Sequence, residues 1–367
     1  MSAHKFREFT LNLFMHKSGE MLVLTSWRGA PVTDGPPLPW DVYFEEAWLR
    51  NWGRPGSESL IFSYHKNGRI WVHPIVRLPI SGTDLYDIES AWGYGGPLSN
   101  TEDPDFLLEA GEVFTEWAVS ERIVCAFTRF HAPLANHRYC VDPDTMIVPN
   151  RAVISIPLKT QDEKPVKADV LRAAMKSSFR RGVRKACDYG LRFTEIEPEA
   201  YLPAFMILYN KTMDRVSATP DYYVDSARVK NLFCDPFHTR MFGVFDGDRF
   251  AAGAIILMGS ETMHYHLGAS DPELLFKRPN NLLFYGLTLW AAERGTHRCL
   301  HLGGGDDSLP DNQLLRFKRS IGGVESIYYT GTRIFLRTYY DELCHASISK
   351  RPGLALRLGT FLKLYRL

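Results

Sequence analysis

The sequence predicts an α/β (α+β) protein made of two similar units, each a mixed sheet flanked by helices. Three observations carry that expectation. A chain of 367 residues exceeds the size at which one core usually keeps growing, so two domains are expected. Residues 241 to 321 read as a hairpin, a third strand, a helix, a fourth strand, a triple-glycine turn and a short basic helix. The first 130 or so residues repeat the order strand, helix, hairpin, helix, strand without repeating the residues.

Within the later stretch, MFGVFDG and RFAAGAIILM flank an Asp246-Gly247-Asp248 turn and are too apolar for surface strands. In ETMHYHLG the alternation puts His264 and His266 on one face and Met263 and Tyr265 on the other. NNLLFYGLTLWAAERG has helical spacing and ends in glycine, CLHLGGG is a short strand running into flexible backbone, and LPDNQLLRFKRSIGG is an amphipathic helix.

Earlier in the chain, MLVLTSW predicts a strand and RGAPVTDGPPLPW an irregular loop. Asp41 is placed to cap the helix VYFEEAWLRNWG. Two strands surround Lys66-Asn67-Gly68, and LYDIESAWGYGGPLSN starts extended and breaks at Gly95-Gly96-Pro97. DPDFLLEAGEVFTEWAVSE is a helix, RIVCAFTRF a strand, and residues 147 to 160 a strand joining the halves. A helix is expected from about Ala168 to Tyr189, then the strand LRFTEIEP, the helix EAYLPAFMILYNKTMDRV and a further helix through Leu232. SIYYT and TRIFLRTYY are aromatic and β-branched, and the tail GLALRLGTFLKLYRL reads as a terminal amphipathic helix packed on an earlier domain.

The apolar fraction of 45% is that of an ordinary globular protein. The start lacks a signal peptide's apolar run, and no stretch approaches 18 uninterrupted apolar residues, so no transmembrane segment is expected. Six cysteines, at 125, 140, 187, 234, 299 and 344, contain no CxxC pair and read as buried reduced thiols of a cytoplasmic protein. His131 and Cys140 show no metal-ligand spacing, so no metal is expected.

The net charge of +1 conceals polarity. Asp34 to Glu121 holds 15 acidic against 5 basic residues, Lys167 to Arg192 holds 8 basic against 2 acidic, and Arg316 to Leu367 holds 10 basic against 3 acidic. Arg180/Arg184 and Arg181/Lys185 are like-charge pairs at i,i+4, which weaken a helix unless an anion faces them. They are candidate phosphate contacts; a helix end solvated by long basic side chains is the plainer reading.

The segments RRGVRKA (180 to 186), MHYHLGAS (263 to 270), and GGG with the later LLRFKRSIGG (303 to 323) resemble, in order and spacing, the FemABX-like and BioF2-like branch of the Gcn5-related N-acyltransferase (GNAT) superfamily. WGYGGPL and TRFHAPLANH are similar to the first half of that family, and the resemblance covers roughly residues 20 to 345. It implies tandem acyl-CoA N-acyltransferase (GNAT-like) domains: residues 1–155 completed by 345–367, and residues 156–344 with the donor site. It further implies a splayed strand pair that receives the activated acyl group and an amine acceptor held in a channel. FemABX enzymes take aminoacyl-tRNA as donor and a peptidoglycan precursor as acceptor, whereas the wider superfamily takes acyl-coenzyme A.

The glycine-containing pyrophosphate loop of the coenzyme A enzymes is not evident, since Arg278 precedes Asn280-Asn281-Leu282-Leu283 without intervening glycines. The leading expectation is therefore an aminoacyl-tRNA-dependent transferase acting on a cell-wall precursor or another small amine, with no bound cofactor. The alternatives are an acyl-CoA-dependent enzyme for an amino sugar, amino acid or lipid precursor, and a silent tRNA or nucleotide-sugar binding protein. Oligomeric state is not legible.

An attacking amine must be neutral and the developing oxyanion needs a donor. No Ser-His-Asp order or reactive cysteine motif is legible, which favours direct attack. By resemblance, Lys318 stabilises the oxyanion or the donor's terminal ribose and phosphate. Phe317 packs beside the terminal adenine or, more simply, in the core. His264, His266, Tyr265 and His301 are candidates for proton transfer or, more simply, structural residues. Gly303, Gly304 and Gly305 allow close backbone approach. Asp306 and Asp307 bind a cationic amine or cap the loop. Tyr94, Gly96 and Asn136 line an acceptor channel if the family arrangement holds.

Overall fold

The computed structural model describes residues 9–15, 19–31, 36–234, 238–307, 309, 312–357 and 362–367. They form two compact units, residues 1–150 with 328–367, and residues 151–327. The division expected from the sequence lies at 155/156 and 344/345. The chain instead changes unit inside two strands, which no break in composition marks.

In the first unit, β1 (Phe9–Met15), β2 (Glu20–Trp27), β3 (Glu58–Lys66) and β4 (Arg69–Pro79) form an antiparallel meander. The β3–β4 turn needs two left-handed residues, and Asn67 (φ 52°) and Gly68 (φ 76°) supply them. β5 (Tyr86–Glu89) adds to β4, β6 (Leu98–Ser99) pairs elsewhere along β4, and β7 (Ile123–Arg129) runs parallel to β5. A parallel pair needs a crossover, here α2 (Pro104–Ser120). Its start is set by Asp103, whose carboxylate accepts from the Asp105 and Phe106 amides, with Pro104 following. Phe106, Leu107, Ala110, Val113, Phe114 and Trp117 form its buried stripe against Phe62 and Trp71.

Two expectations change in this unit. β1 was not foreseen. Asp41 makes no side-chain cap: a 3₁₀ turn at Val42–Phe44 intervenes, and α1 (Glu46–Trp52) starts behind Glu45.

The second unit begins with β8 (Met146–Pro157), which enters from the first. The expected single helix from 168 to 189 is two, α3 (Ala168–Ala174) and α4 (Ser177–Asp188). Met175 and Lys176 between them are extended, and the Lys176 amide donates to the Ser320 carbonyl instead of continuing the helix. β9 (Arg192–Glu195), α5 (Pro198–Arg215) and α6 (Ser226–Asn231) follow. Next come β10 (Arg240–Asp246), β11 (Arg249–Met258), β12 (Thr262–Ser270), α7 (Pro279–Arg294), β13 (Cys299–Gly304) and α8 (Gln313–Arg319).

The strand order in this unit is β8-β13-β12-β11-β10-β9, and only β12 and β13 are parallel, joined through α7. One face of this sheet (Ile154, Ile156, Met263, Leu300) and α7 (Leu283, Phe284, Leu287, Ala291) share a core with Phe179 and Val183 of α4 and Leu315 of α8. α7 approaches β9 closely because Gly286 lies under Phe193, where a Cβ would come within 2.4 Å of the ring.

β14 (Val324–Ile334) carries the chain back to the first unit, where Thr330–Ile334 pairs antiparallel with β7, and α9 (Arg337–Lys350) follows. The tail was expected as one helix. Its described residues instead form short 3₁₀ segments at Pro352–Arg357 and Leu364–Arg366, and residues 358–361 lie outside the described residues. The last segment is tied down by polar contacts: Tyr365 donates to the fully buried Asp87 at 2.7 Å, Arg366 pairs with the same carboxylate, and Lys363 reaches Glu89 at 2.7 Å.

Candidate active site

β12 and β13 are bonded over three residue pairs, Thr262↔Cys299, Met263↔Leu300 and His264↔His301. Beyond that point they part. β12 stays with β11 and has a bulge at His266, because Tyr265 faces Ile256 while Leu267 already faces Ile255. β13 shifts register after His301, and Gly303 and Gly304 pair with Ile154 and Val153 of β8.

Lys318, from α8, reaches this opening. Its Nζ donates to the Gly304 carbonyl at 2.6 Å and lies 5.9 Å from the centre of the Tyr265 ring. Gly303 is left-handed (φ 70°), and a Cβ there would sit 3.7 Å from the ammonium. Lys318 is 6% exposed, and this burial pulls its pKa down to about 7, with Asp306 acting in the opposite direction. The side chain is thus poised between ammonium and amine near neutrality. Burial pushes the Tyr265 phenol above its usual range, so the phenol stays protonated. Its hydroxyl occupies the space that any side chain at position 268 would need, which explains Gly268.

The loop ahead of α8 sets the lysine's position. Asn312 caps α8 by accepting from the Leu315 amide at 3.0 Å, and its amide donates to Asp307 at 2.9 Å and to Asp306. Asp306 and Asp307 therefore brace the cap. Gly305 is required beside it, since a Cβ there would lie 2.4 Å from Asn312 Oδ1, and at Gly304 a Cβ would meet the Ala152 carbonyl at 2.6 Å. Phe317 packs with Phe179 of α4 (5.9 Å between ring centres) and Phe284 of α7 (5.5 Å), and Tyr265 completes the cluster 4.7 Å from Phe284. Its ring belongs to the core, the plainer of the two readings.

A row of polar residues crosses the same sheet. Ser155 Oγ lies 2.8 Å from His301 Nδ1, and the His301 ring stands edge-on to His264 at 5.8 Å. Both histidines are buried, and burial together with His264 pulls the His266 pKa down to about 3. A neutral imidazole next to the strand opening can pass a proton. Ser155 was missed in the sequence. Only the β8–β13 register, a pairing between residues far apart in the chain, brings it to His301.

The arginine-rich helix lies against the start of α7. Gly182 of α4 touches Asn281, where a Cβ would come within 2.4 Å of its side chain, and the Asn281 amide lies 3.4 Å from the Phe179 carbonyl. Arg278 precedes α7 in a left-handed conformation (φ 64°) with its side chain exposed, followed by Pro279, which has no N–H. Arg180, Arg181, Arg184 and Lys185 are all exposed. Arg180 donates to the Arg172 carbonyl at 3.3 Å, and Lys185 lies over the Tyr189 ring at 5.8 Å.

In the first unit, Tyr94 stands edge-on to Tyr43 (5.2 Å) and Tyr328 (5.6 Å) and lies 5.3 Å from His131. His131 Nε2 is 3.7 Å from Asp41 Oδ2, and burial, Tyr94 and Asp41 push the Tyr43 phenol well up. Gly96 is left-handed (φ 88°), with Phe130 where a Cβ would go. The Asn136 amide is fully engaged: it accepts from the His131 N–H and donates to the Gly95 and Pro97 carbonyls. Gly96 and Asn136 thus hold the Gly95-Gly96-Pro97 turn.

None of the six cysteines forms a disulfide; Cys125 and Cys344 are buried and Cys140 and Cys299 partly so, but Cys187 and Cys234 are exposed, contrary to the expectation. Burial raises the thiol pKa of Cys125, Cys344 and Cys140, the last to about 11, so none of these three is a ready nucleophile.

Residues 173–319 match the family described as Acetyltransferase (GNAT) domain. No curated protein matches the sequence. Among solved structures, FemX is similar with a TM-score of 0.64 at 15% identity, covering 83% of this chain and 95% of that one. A conserved protein from Bacteroides thetaiotaomicron gives 0.49 at 12% identity, covering 82% and 92%. A tandem GNAT protein from the clavulanic acid biosynthesis pathway gives 0.41 at 10%, covering 79% and 86%. At 15% identity the FemX likeness bears on the fold alone, mixed sheets flanked by helices. No helix among the described residues is long and apolar enough to cross a membrane.

Proposed function

We propose that this acyltransferase, with a GNAT domain at residues 173–319 and the fold of FemX, transfers an aminoacyl group from aminoacyl-tRNA to an amine. The acceptor is a cell-wall precursor or a small metabolite, and the setting is the cytoplasm, where charged tRNA is made.

The observation that carries the choice of donor is the start of α7. A coenzyme A pyrophosphate would need glycine-rich backbone and free N–H groups there. Instead the position holds Pro279, and α4 lies over Asn281 through Gly182. That same α4 carries four exposed cationic side chains at positions 180, 181, 184 and 185, suited to a phosphate backbone. Its Phe179 touches Phe317, the neighbour of Lys318, so the basic helix and the lysine's helix pack together.

In the proposed reaction the neutral amine attacks the ester carbonyl in the strand opening. The new C–N bond forms as the C–O bond to the terminal ribose breaks, and the ribose oxygen leaves with a proton. Lys318, as ammonium, offsets the charge that develops on the carbonyl oxygen. His264 and His301 are the candidates for taking the amine proton, with Ser155 fixing the orientation of His301, whereas His266, with its pKa lowered to about 3, is too weak a base for that step. No covalent enzyme intermediate is required.

The second reading is an acyl-CoA donor with an amino sugar, amino acid or lipid precursor as acceptor, and the parting of β12 and β13 serves it as well as the first. Equilibrium binding of deacylated tRNA and of coenzyme A at two salt concentrations separates the two. The proposal expects tRNA binding that weakens steeply with salt and no saturable coenzyme A site. Saturable coenzyme A binding without tRNA binding would overturn it.

A further inference from the structure

Two aromatic residues of the second unit lie on its surface, outside the acyl-transfer chemistry. Tyr189, at which α4 ends, is 43% exposed, and Phe276, in the 3₁₀ turn Pro272–Lys277 ahead of α7, is 55% exposed. Their rings meet edge-on, 5.6 Å apart at 85°. A single exposed ring is ordinary, but two rings from separate elements set against each other make a small apolar platform.

The surroundings of the platform say what it can hold. Arg181, Lys185 and Tyr189 fall at i, i+4 and i+8, so two cations lead along one side of α4 to the ring. Arg278, two residues after Phe276, is exposed as well. Lys277 stands 5.5 Å from the Tyr189 ring and 5.9 Å from the Phe276 ring, but its charge is taken up by Asp246 at 2.5 Å. The charge offered to a ligand therefore comes from α4 and Arg278, opposed locally by the exposed Asp188.

A row of cations ending at exposed rings suits an unpaired nucleic-acid strand, the cations following its phosphates and a ring taking a base. A lipid surface would need more apolar area. The apolar side of α4 (Phe179, Val183, Ala186) is spent in the core, which leaves only the two rings. The position fits a strand too. Tyr189 lies about 15 Å along α4 from Phe179, which touches Phe317 beside Lys318. A stacked strand advances about 3.4 Å per nucleotide, so about four nucleotides cover that length.

We propose that Phe276, braced by Tyr189, stacks on an unpaired base near the 3′ end of the donor tRNA, with Arg181, Lys185 and Arg278 on the adjoining phosphates; this rests on the aminoacyl-tRNA reading above. Phe276 is the more exposed ring and carries the stack. Every base has a π face, so the contact adds affinity without choosing a sequence.

The test compares deacylated tRNA with the same tRNA shortened by about four 3′ nucleotides, on the full-length protein. Shortening should weaken binding to the unaltered protein about tenfold or more. Phe276→Leu keeps apolar bulk but no ring; it should bind intact tRNA about tenfold more weakly, distinguish the two tRNAs less, and keep its salt slope because no phosphate contact is lost. Phe276→Trp should restore the unaltered behaviour. In the unaltered protein, 2-aminopurine placed in turn at each of those nucleotides should be quenched at the one that stacks. Equal affinity of Phe276→Leu and the unaltered protein for intact tRNA would overturn the platform and leave the donor reading standing. No tRNA binding by the unaltered protein would remove both. A loss in Phe276→Leu seen on anionic lipid vesicles and not on tRNA would overturn the assignment in favour of a membrane surface.

Discussion

At the scale of single residues, the proposed chemistry depends on a lysine held where water is scarce. Lys318 has a pKa lowered to about 7 by burial, a shift that corresponds to roughly 3–5 kcal/mol between its two protonation states. Because the folded pKa lies below the unfolded one, the unfolded chain binds the extra proton between about pH 7 and the ordinary lysine range. Stability contributed at this site therefore rises with pH through that window. Lys318→Met should abolish this rise in a thermal unfolding series while lowering the transfer rate by about 10²-fold. If the ammonium is the active form, the rate with bound acceptor falls as pH passes about 7, and the residual activity of the methionine variant lacks that limb. A rate unchanged in Lys318→Met would leave a silent binding protein as the better description. Lys318 was visible in the sequence only through its resemblance to a family, because nothing local to LLRFKRS says that its amine reaches the carbonyl of Gly304, 14 residues earlier.

At the scale of elements, α4 combines two loads. Its apolar side (Phe179, Val183, Ala186) belongs to the core, while its arginines face outward as like-charge neighbours. Changing Arg180, Arg181 and Arg184 together to Gln should leave the unfolding temperature equal or slightly higher, since repulsion of a few tenths of a kcal/mol per pair is relieved. The same variant should lose about three units of salt dependence in a log–log plot of tRNA affinity. Weaker folding with an unchanged salt slope would mean that the arginines serve the fold and not a polyanion. Most elements were legible because their signals are short-range: Asn67-Gly68 for the β3–β4 turn, Asp103-Pro104 for the start of α2, and alternation around Met263 and Tyr265 for β12. The break between α3 and α4 was not legible, because its cause is the Ser320 carbonyl on a distant element. The bulge at His266 was hidden likewise, since register belongs to the pair of strands.

At the scale of the whole molecule, the chain leaves the first unit, builds the second and returns, and the returning tail is part of the first unit's interior. Asp87 is fully buried and is met by Tyr365 and Arg366 from the last described segment. Arg366→Met strips a buried carboxylate of its cation and should destabilise the protein by about 3 kcal/mol or more, read from denaturant unfolding. The tandem organisation was foreseeable from length and from the repeated order of elements, whereas the unit boundaries were not, because β8 and β14 each run through one. The candidate site was legible in its residue types but not in its assembly. Lys318, Tyr265 and the glycines stood out, but Ser155 and Asn312 became visible only through pairing and capping. The most direct measurement is single-turnover transfer of a radiolabelled aminoacyl group from a mixed aminoacyl-tRNA pool to a panel of primary amines, with Lys318→Met alongside. Amide formation from aminoacyl-tRNA is expected, dropping about 10²-fold in the variant. Amide formation from acyl-CoA alone, with aminoacyl-tRNA left intact by both proteins, would contradict it.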